Sequence, residues 1–163
     1  MLTDNIKILI KLSANAYGID EDLLFAICEV ESNFDPKATR YEPHYHWLYK
    51  PSSFIDENLT IEEEKRCQKT SWGLMQVMGG VLREYGYRGH IDNIINHIAD
   101  QLYYGCAHLK RKLNRYGLKE GILSYNSGSP IKNAGGEYVN IQYYNKVVKA
   151  IDWWNSNILK AAH

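Results

Sequence analysis

A glutamate on the apolar face of a predicted helix is the residue whose type and position first indicate chemistry. Leu24, Ile27 and Cys28 recur at helical spacing. The next position on that face is Glu31, whereas Glu29 falls on nearly the opposite face, where we expect it to be solvated. A carboxylate removed from water has a raised pKa, and a carboxylic acid still protonated near neutral pH can protonate a leaving oxygen. Spacing alone nevertheless favours a structural Glu31 that ends the helix and pairs with a lysine or arginine.

Four short blocks along the chain match the signature of one enzyme family. They are E-S-N-F-D-P-K-A at residues 31–38, W-G-L-M-Q-V-M at 72–78, L-S-Y-N-S-G at 123–128 and Y-Y-N-K-V at 143–147. In this order they resemble the motifs E-S-x-F-N/D-P-x-A, G-L-M-Q-I/V/L-M, A-Y-N-A/S-G and Y-V-x-K-V of the soluble lytic transglycosylases and their goose-type lysozyme relatives. One block alone is weak evidence, whereas four in the family's order indicate membership.

The resemblance implies roles for residues in the first two blocks. The leading glutamate of the first motif, the family's catalytic acid and base, falls on Glu31. The glutamine and second methionine that line the family's sugar cleft fall on Gln76 and Met78. For Met75 and Met78, packing in the core is the alternative, because apolar residues at helical spacing usually pack.

The last two blocks supply three further candidates by the same resemblance. Tyr125 matches the tyrosine that contacts the catalytic glutamate, and Asn126 matches the asparagine that contacts substrate. Tyr143 matches the tyrosine of the C-terminal motif, with core packing again as the alternative.

The family's chemistry, as the resemblance implies it, needs only one carboxylate, whereas most glycosidases need two. Glu31 would protonate the oxygen that links N-acetylmuramic acid (MurNAc) to N-acetylglucosamine (GlcNAc). As a carboxylate it would then take the proton of the muramic C6 hydroxyl while that oxygen closes onto C1, which leaves a 1,6-anhydro sugar. The substrate's own acetamido group, held by a donor such as Asn126, would meet the positive charge at C1.

The chain departs from the family pattern in a long insertion over residues 39–70. Its aromatic-rich segment 40–47 looks more like phage-borne relatives than periplasmic members and suits contacts with sugar faces. Glu42 in this segment could position a water and make the enzyme a hydrolysing lysozyme (muramidase) with inverted product. The alternative is a structural Glu42 that pairs with Arg40 or a loop amide. The charge run at residues 62–66 predicts a solvated helix face.

Helix signals in the first part of the chain define two elements. Apolar periodicity predicts a helix from about Ile6 that stops at Gly18, a favoured residue at helix C-termini. Asp20 is a typical N-cap for the second helix. This helix should end at about Ser32, because the Asp35-Pro36 pair disfavours continuation.

The rest of the chain predicts two further helices and a small β element. A long helix from Ile94 should end at Gly117, and a last helix follows Glu137. The β element lies near residues 71–78, and residues 127–136 form a loop that either edges a cleft or only connects elements. The predicted fold is mostly α, of the α+β lysozyme-like class, with a substrate cleft.

Composition indicates a single globular domain over residues 1–163, with 45% hydrophobic residues. The 19 basic residues balance 19 acidic ones, so charge gives no argument for nucleic acid or an anionic membrane. The chain has three cysteines, which we expect to be free thiols, namely Cys28, Cys67 and Cys106. His44 and His46 lack a third ligand nearby, so we expect no metal and no other cofactor.

The function that fits these features is cleavage of peptidoglycan glycan strands by a monomer. The N-terminal residues form no continuous apolar block and no apolar run reaches membrane-spanning length, so we expect no signal peptide and no membrane anchor. This favours a phage product, either an endolysin released through a holin or a lytic part of the particle. A catalytically silent glycan-binding module and an assembly protein of lysozyme-like fold are the other classes. The intact motif residues argue against both.

Overall fold

The computed structural model describes residues 2–158, apart from the Ile158 side chain, and shows a mostly helical chain with one small sheet. The helices are α1 Asp4–Tyr17, α2 Glu21–Ser32, α3 Ile61–Gln68, α4 Gly79–Glu84, α5 Ile98–Ser127 and α6 Ile141–Ile158. Short 3-10 helices cover Pro51–Ser53 and Ile91–Asn96. The strands are β1 Thr39–Tyr41, β2 Thr70–Trp72 and β3 Val77–Met78. The predicted mostly α class with a small β element is confirmed.

The chain divides into two compact units. The first comprises Met1–Leu9 and Glu31–Gly105, and the second comprises Ile10–Val30 and Cys106–His163. Met1 and residues 159–163 lie outside the described residues. The single domain over residues 1–163 therefore stays a prediction.

The sheet of the first unit is antiparallel, in the order β1-β2-β3. Tyr41 lies opposite Thr70 between β1 and β2, and Ser71 lies opposite Met78 between β2 and β3. The β element expected near residues 71–78 is confirmed by β2 and β3. Strand β1 was not predicted, because it lies at the start of an insertion that carries no alternating apolar pattern.

The insertion is ordered around helix α3. Thr60 caps this helix through a reciprocal pair of hydrogen bonds with Glu63, in which each side chain accepts from the other residue's backbone N–H. The expected solvated face is wrong for Glu64, which is 0% exposed and forms an ion pair with Arg83, itself 1% exposed. The guanidinium meets both carboxylate oxygens at 2.8 and 2.7 Å. The distant partner on α4 overrides the local charge pattern.

The second unit packs around the middle of α2. Leu24, Ile27 and Cys28 are fully buried there, as their spacing predicts. The expected solvation of Glu29 is wrong, because its carboxylate is half-buried and accepts a 2.7 Å hydrogen bond from the Trp154 indole. The same indole ring stacks on Phe25 of α2.

Glycines set two helix boundaries that the sequence indicated. Gly18 follows α1 directly with φ +57°, as a residue that ends a helix in the left-handed region. Gly117 interrupts α5 with φ 76° and ψ −177°, where the third helix was expected to end. The chain then resumes helix to Ser127, so the third motif block lies on a helical segment that periodicity missed. Residues 94–96 form 3-10 helix instead of the expected α-helical turn.

Candidate active site

Glu31 lies half-buried in the last turn of α2, where the chain makes an abrupt exit from the helix. Asn33 and Phe34 follow with φ 50° and 61°, a left-handed conformation that costs energy for a residue with a Cβ. The Phe34 side chain is buried and holds this turn. Ser32 ties it down by donating from Oγ to the Leu74 carbonyl at 2.8 Å. The candidate acid therefore has a rigid backbone setting, of the strained kind that clusters at functional sites.

Gln101 of α5 is a buried residue that holds the same region together and that the sequence analysis did not single out. Its Oε1 accepts from the Leu74 N–H at 2.8 Å, and its Nε2 donates to the Pro36 and Ile94 carbonyls at 2.9 Å. Gly73 makes room for it, since a Cβ there would overlap Oε1. A single amide thus links the turn after α2 to the second motif block. Only the glycine of G-L-M-Q hinted at this close approach.

The Gln76 side chain is engaged with its own unit. Its Oε1 accepts from the Ser71 hydroxyl at 2.8 Å, and its Nε2 donates to the Ala38 and Gly73 carbonyls at 3.0 Å each. Its backbone is left-handed, with φ 48°. The bond to Gly73 stabilises the turn between β2 and β3, and the bond to Ala38 ties this turn to the residue before β1. Oε1 retains one lone pair for another donor. Substrate binding by Gln76 stays a proposal.

The two methionines of the second block have different environments. Met75 is 0% exposed, and its Sδ occupies the space that a Cβ on Gly105 would need. Core packing, the alternative considered for Met75, is what the structure has. Met78 is half-exposed at the start of α4 and remains accessible to a ligand.

The candidates of the last two blocks belong to the second unit. The Tyr125 ring is half-buried and lies 5.4 Å from the His108 ring, between centroids. Asn126 is exposed, and its Oδ1 accepts from Asn140 Nδ2 at 3.1 Å. Tyr143 is half-buried in the first turn of α6. Asn126 thus presents an amide whose orientation Asn140 helps to set.

Glu42 pairs with Arg40, which is the structural role considered as the alternative to catalysis. Its Oε1 lies 2.5 Å from Arg40 Nε, and its backbone N–H donates to the Lys69 carbonyl at 2.8 Å. His44 and His46 are exposed in the same loop. Within residues 2–158 no cluster of three histidine, cysteine, aspartate or glutamate side chains is placed to hold a metal ion.

The family model of the Transglycosylase SLT domain matches residues 8–147. The chain belongs to this family. It is a peptidoglycan lytic transglycosylase, and its mostly helical fold with a three-stranded sheet is consistent with the lysozyme-like class. No curated protein and no solved structure matches the chain significantly. None of the helices in the described part of the transglycosylase is long and apolar enough to cross a membrane.

His108 of this transglycosylase lies beside the site candidate Tyr125. This titratable residue was not identified in the sequence analysis. Burial, and then the charges of Lys112 and Arg111, lower its pKa from 6.5 to about 4. The ring that faces Tyr125 is therefore uncharged at neutral pH. In the sequence His108 is one position of a long amphipathic helix, and nothing there indicated that its ring would be buried.

The low pKa of His108 predicts a pH-dependent loss of stability. The unfolded state takes up this proton near pH 6.5 and the folded state only near pH 4, so stability is fully present above 6.5 and falls as pH decreases towards 4. The pKa difference corresponds to roughly 3 kcal/mol. We expect His108→Phe to flatten the dependence of the urea midpoint on pH between 7 and 4 relative to the wild type. The exposed His97→Gln change is the control and should keep the wild-type slope. Equal slopes for wild type and His108→Phe would contradict the assignment.

Proposed function

We propose that Glu31 is the single proton donor and acceptor with which this transglycosylase cuts the MurNAc-β-1,4-GlcNAc bond. The observation that carries the proposal is the braced turn behind Glu31, built by the Ser32 bond to Leu74 and by the buried Gln101 amide. A general acid must stay within hydrogen-bond reach of one substrate oxygen, and a rigid backbone favours this. The family match supports the same assignment, since residue 31 opens the first of its motif blocks.

The proposed reaction moves one proton out and one proton back. Protonated Glu31 donates to the glycosidic oxygen as the bond from that oxygen to C1 of MurNAc breaks. The resulting carboxylate accepts the proton of the C6 hydroxyl as O6 bonds to C1. Glu31 is restored, no water is consumed, and the product end is 1,6-anhydro-MurNAc.

We propose that the other motif residues bind the glycan. Asn126 has an exposed amide suited to an acetamido group, and Met78 offers an accessible apolar contact. Gln76 has one lone pair on Oε1 left for a sugar hydroxyl. Tyr125 and Tyr143 are half-buried and can each present part of a ring to a sugar.

The product ends test the proposed reaction, and Glu42→Gln tests the hydrolytic alternative. Purified sacculi are digested and the released muropeptides are weighed by mass spectrometry. We expect anhydro ends from the wild type and from Glu42→Gln, because Glu42 serves an ion pair with Arg40. The rate should change by less than about fivefold, because no step of the proposed reaction uses Glu42 and losing an exposed ion pair destabilises the fold by at most about 1 kcal/mol.

Glu57→Gln is the matched control, because Glu57 is another exposed acid of the insertion. Reducing ends, heavier by one water, that disappear with Glu42→Gln and persist with Glu57→Gln would establish Glu42 as a second carboxylate. A folded wild-type protein that releases nothing would contradict the proposed function.

We also infer a phage origin for the transglycosylase, as an endolysin or a lytic part of the particle. The support is the aromatic-rich segment 40–47, which resembles phage-borne relatives. Production in a bacterial cytoplasm should cause lysis only when a holin is produced as well. Lysis without a holin would contradict the endolysin assignment.

A further inference from the structure

A basic cavity lies on the insertion, between the end of β1 and helix α3. It has a volume of about 390 Å³ and is lined by one aromatic and four charged residues, namely Tyr41, Glu62, Lys65, Arg66 and Lys69. Three cations face one anion there, although the whole chain has 19 basic and 19 acidic residues. The cavity is therefore a local concentration of positive charge in a neutral protein, and its volume lies within the range of small-molecule sites.

Two of the three cations are not neutralised by a carboxylate. Lys65 pairs with Glu62 at 2.7 Å. Lys69 Nζ donates to the Pro43 carbonyl at 3.2 Å, and the Arg66 guanidinium lies 5.9 Å from the centre of the Tyr41 ring. Within the described chain neither Arg66 nor Lys69 forms a salt bridge. Both retain N–H groups that can donate to an anion.

The position of the cations at the end of helix α3 explains part of the positive charge, but it does not explain the cavity. Cations are favoured in the last turn of any helix, where carbonyl groups carry partial negative charge. That effect does not require a facing aromatic wall, yet Tyr41 of β1 stands opposite, with 50% of its surface exposed. An aromatic ring beside a guanidinium that forms no salt bridge suits a ligand with both an apolar part and a carboxylate.

The cavity lies close to the proposed glycan-binding residues of the same unit. Gln76 Nε2 donates to the Ala38 carbonyl, and β1 begins at the next residue. Tyr41 lies three residue steps after Ala38 along extended chain, which corresponds to roughly 10 Å at the strand rise. A branch on a glycan bound near Gln76 and Met78 can therefore reach Tyr41.

We propose that this cavity binds a carboxylate of the peptide stem carried by MurNAc, with Arg66 and Lys69 as donors and Tyr41 as the apolar wall. The proposal rests on the proposed function, because the stem reaches the cavity only from a glycan held along Gln76 and Met78. An arginine recognises a carboxylate through two parallel N–H···O bonds, and the lysine adds a point charge. The insertion thereby gives the enzyme a preference for glycan strands that retain their stems.

The test compares glycan strands with intact stems and strands from which an amidase has removed the stems. We expect the wild type to have a KM about tenfold lower for stem-bearing strands, as two exposed charge contacts allow. The double variant Arg66→Gln/Lys69→Gln should lose this preference. Lys7→Gln/Lys149→Gln removes the same charge from exposed positions outside the cavity and should keep it. Added salt should weaken the wild-type preference.

In parallel, the affinity for both kinds of strand is measured with the Glu31→Gln variant. The same measurement is made with Glu31→Gln combined with each of the two double variants. If stem-bearing strands bind more tightly and the Arg66/Lys69 changes remove this difference, the result supports the cavity as the stem site, even if no strand is cut. Absence of cutting would then contradict only the proposed function. Equal affinity for both strands overturns the inference. The inference is also overturned if the Arg66/Lys69 changes weaken binding only to sacculi that carry teichoic acid, because the ligand would then be a phosphodiester polymer.

Discussion

Replacing Glu31 by glutamine is expected to abolish muropeptide release from sacculi, with kcat/KM reduced by at least about a thousandfold. Glutamine matches glutamate in size but can neither give nor take a proton at neutral pH. In the proposed reaction the same carboxyl group acts in both steps, so no second residue replaces it. The measurement is the rate of muropeptide release, with circular dichroism and thermal unfolding to show that the variant is folded.

Glu29→Gln is the matched control for this experiment, because it lies two positions away on the same helix. Its carboxylate accepts from the Trp154 indole, and the amide oxygen of glutamine can accept the same bond. We expect the control to keep its activity. A Glu31→Gln variant within tenfold of the wild-type rate would contradict the assignment of the catalytic acid.

Glu64→Ala is expected to destabilise the protein by about 3–5 kcal/mol, the cost of breaking a buried ion pair. The substitution leaves the Arg83 guanidinium charged and buried, with the Tyr87 and Gly89 carbonyls as its remaining hydrogen-bond partners. Urea unfolding gives the change, provided that the slope of the transition is unchanged. The double variant Glu64→Leu/Arg83→Met should be more stable than Glu64→Ala, because neither charge remains.

The exposed Asp4–Lys7 pair provides the comparison for the buried pair. Asp4→Ala removes one partner in the same way, but water solvates the remaining lysine, so its urea midpoint should stay near that of the wild type. If Glu64→Ala and Asp4→Ala shift the midpoint equally, the buried pair does not stabilise the insertion as proposed.

Local sequence signals were sufficient for elements that begin and end by local rules. Gly18 and the Asp35-Pro36 pair bound the first two helices, and α1 and α2 end at Tyr17 and Ser32. Gly117 marks a break in α5, but a left-handed glycine does not reveal that the chain becomes helical again afterwards.

Pairings between distant residues could not be read from the sequence. Glu64 belongs to a run of charges that is typical of a solvated helix, and its partner Arg83 is nineteen residues away. Gln101 is an unremarkable helix residue until the fold brings it to Pro36 and Leu74. The motifs identified the candidate acid at Glu31, whereas the groups that brace it come together only in the folded chain.

The Glu64–Arg83 pair also determines whether the insertion can be removed from the chain. Arg83 lies outside residues 39–70, but its carboxylate partner and the Phe54 ring, 4.1 Å from the guanidinium carbon, lie within them. A deletion of residues 39–70 would remove both groups and leave the Arg83 guanidinium in the interior without its carboxylate. We therefore expect residues 39–70 to be removable only together with a change at position 83.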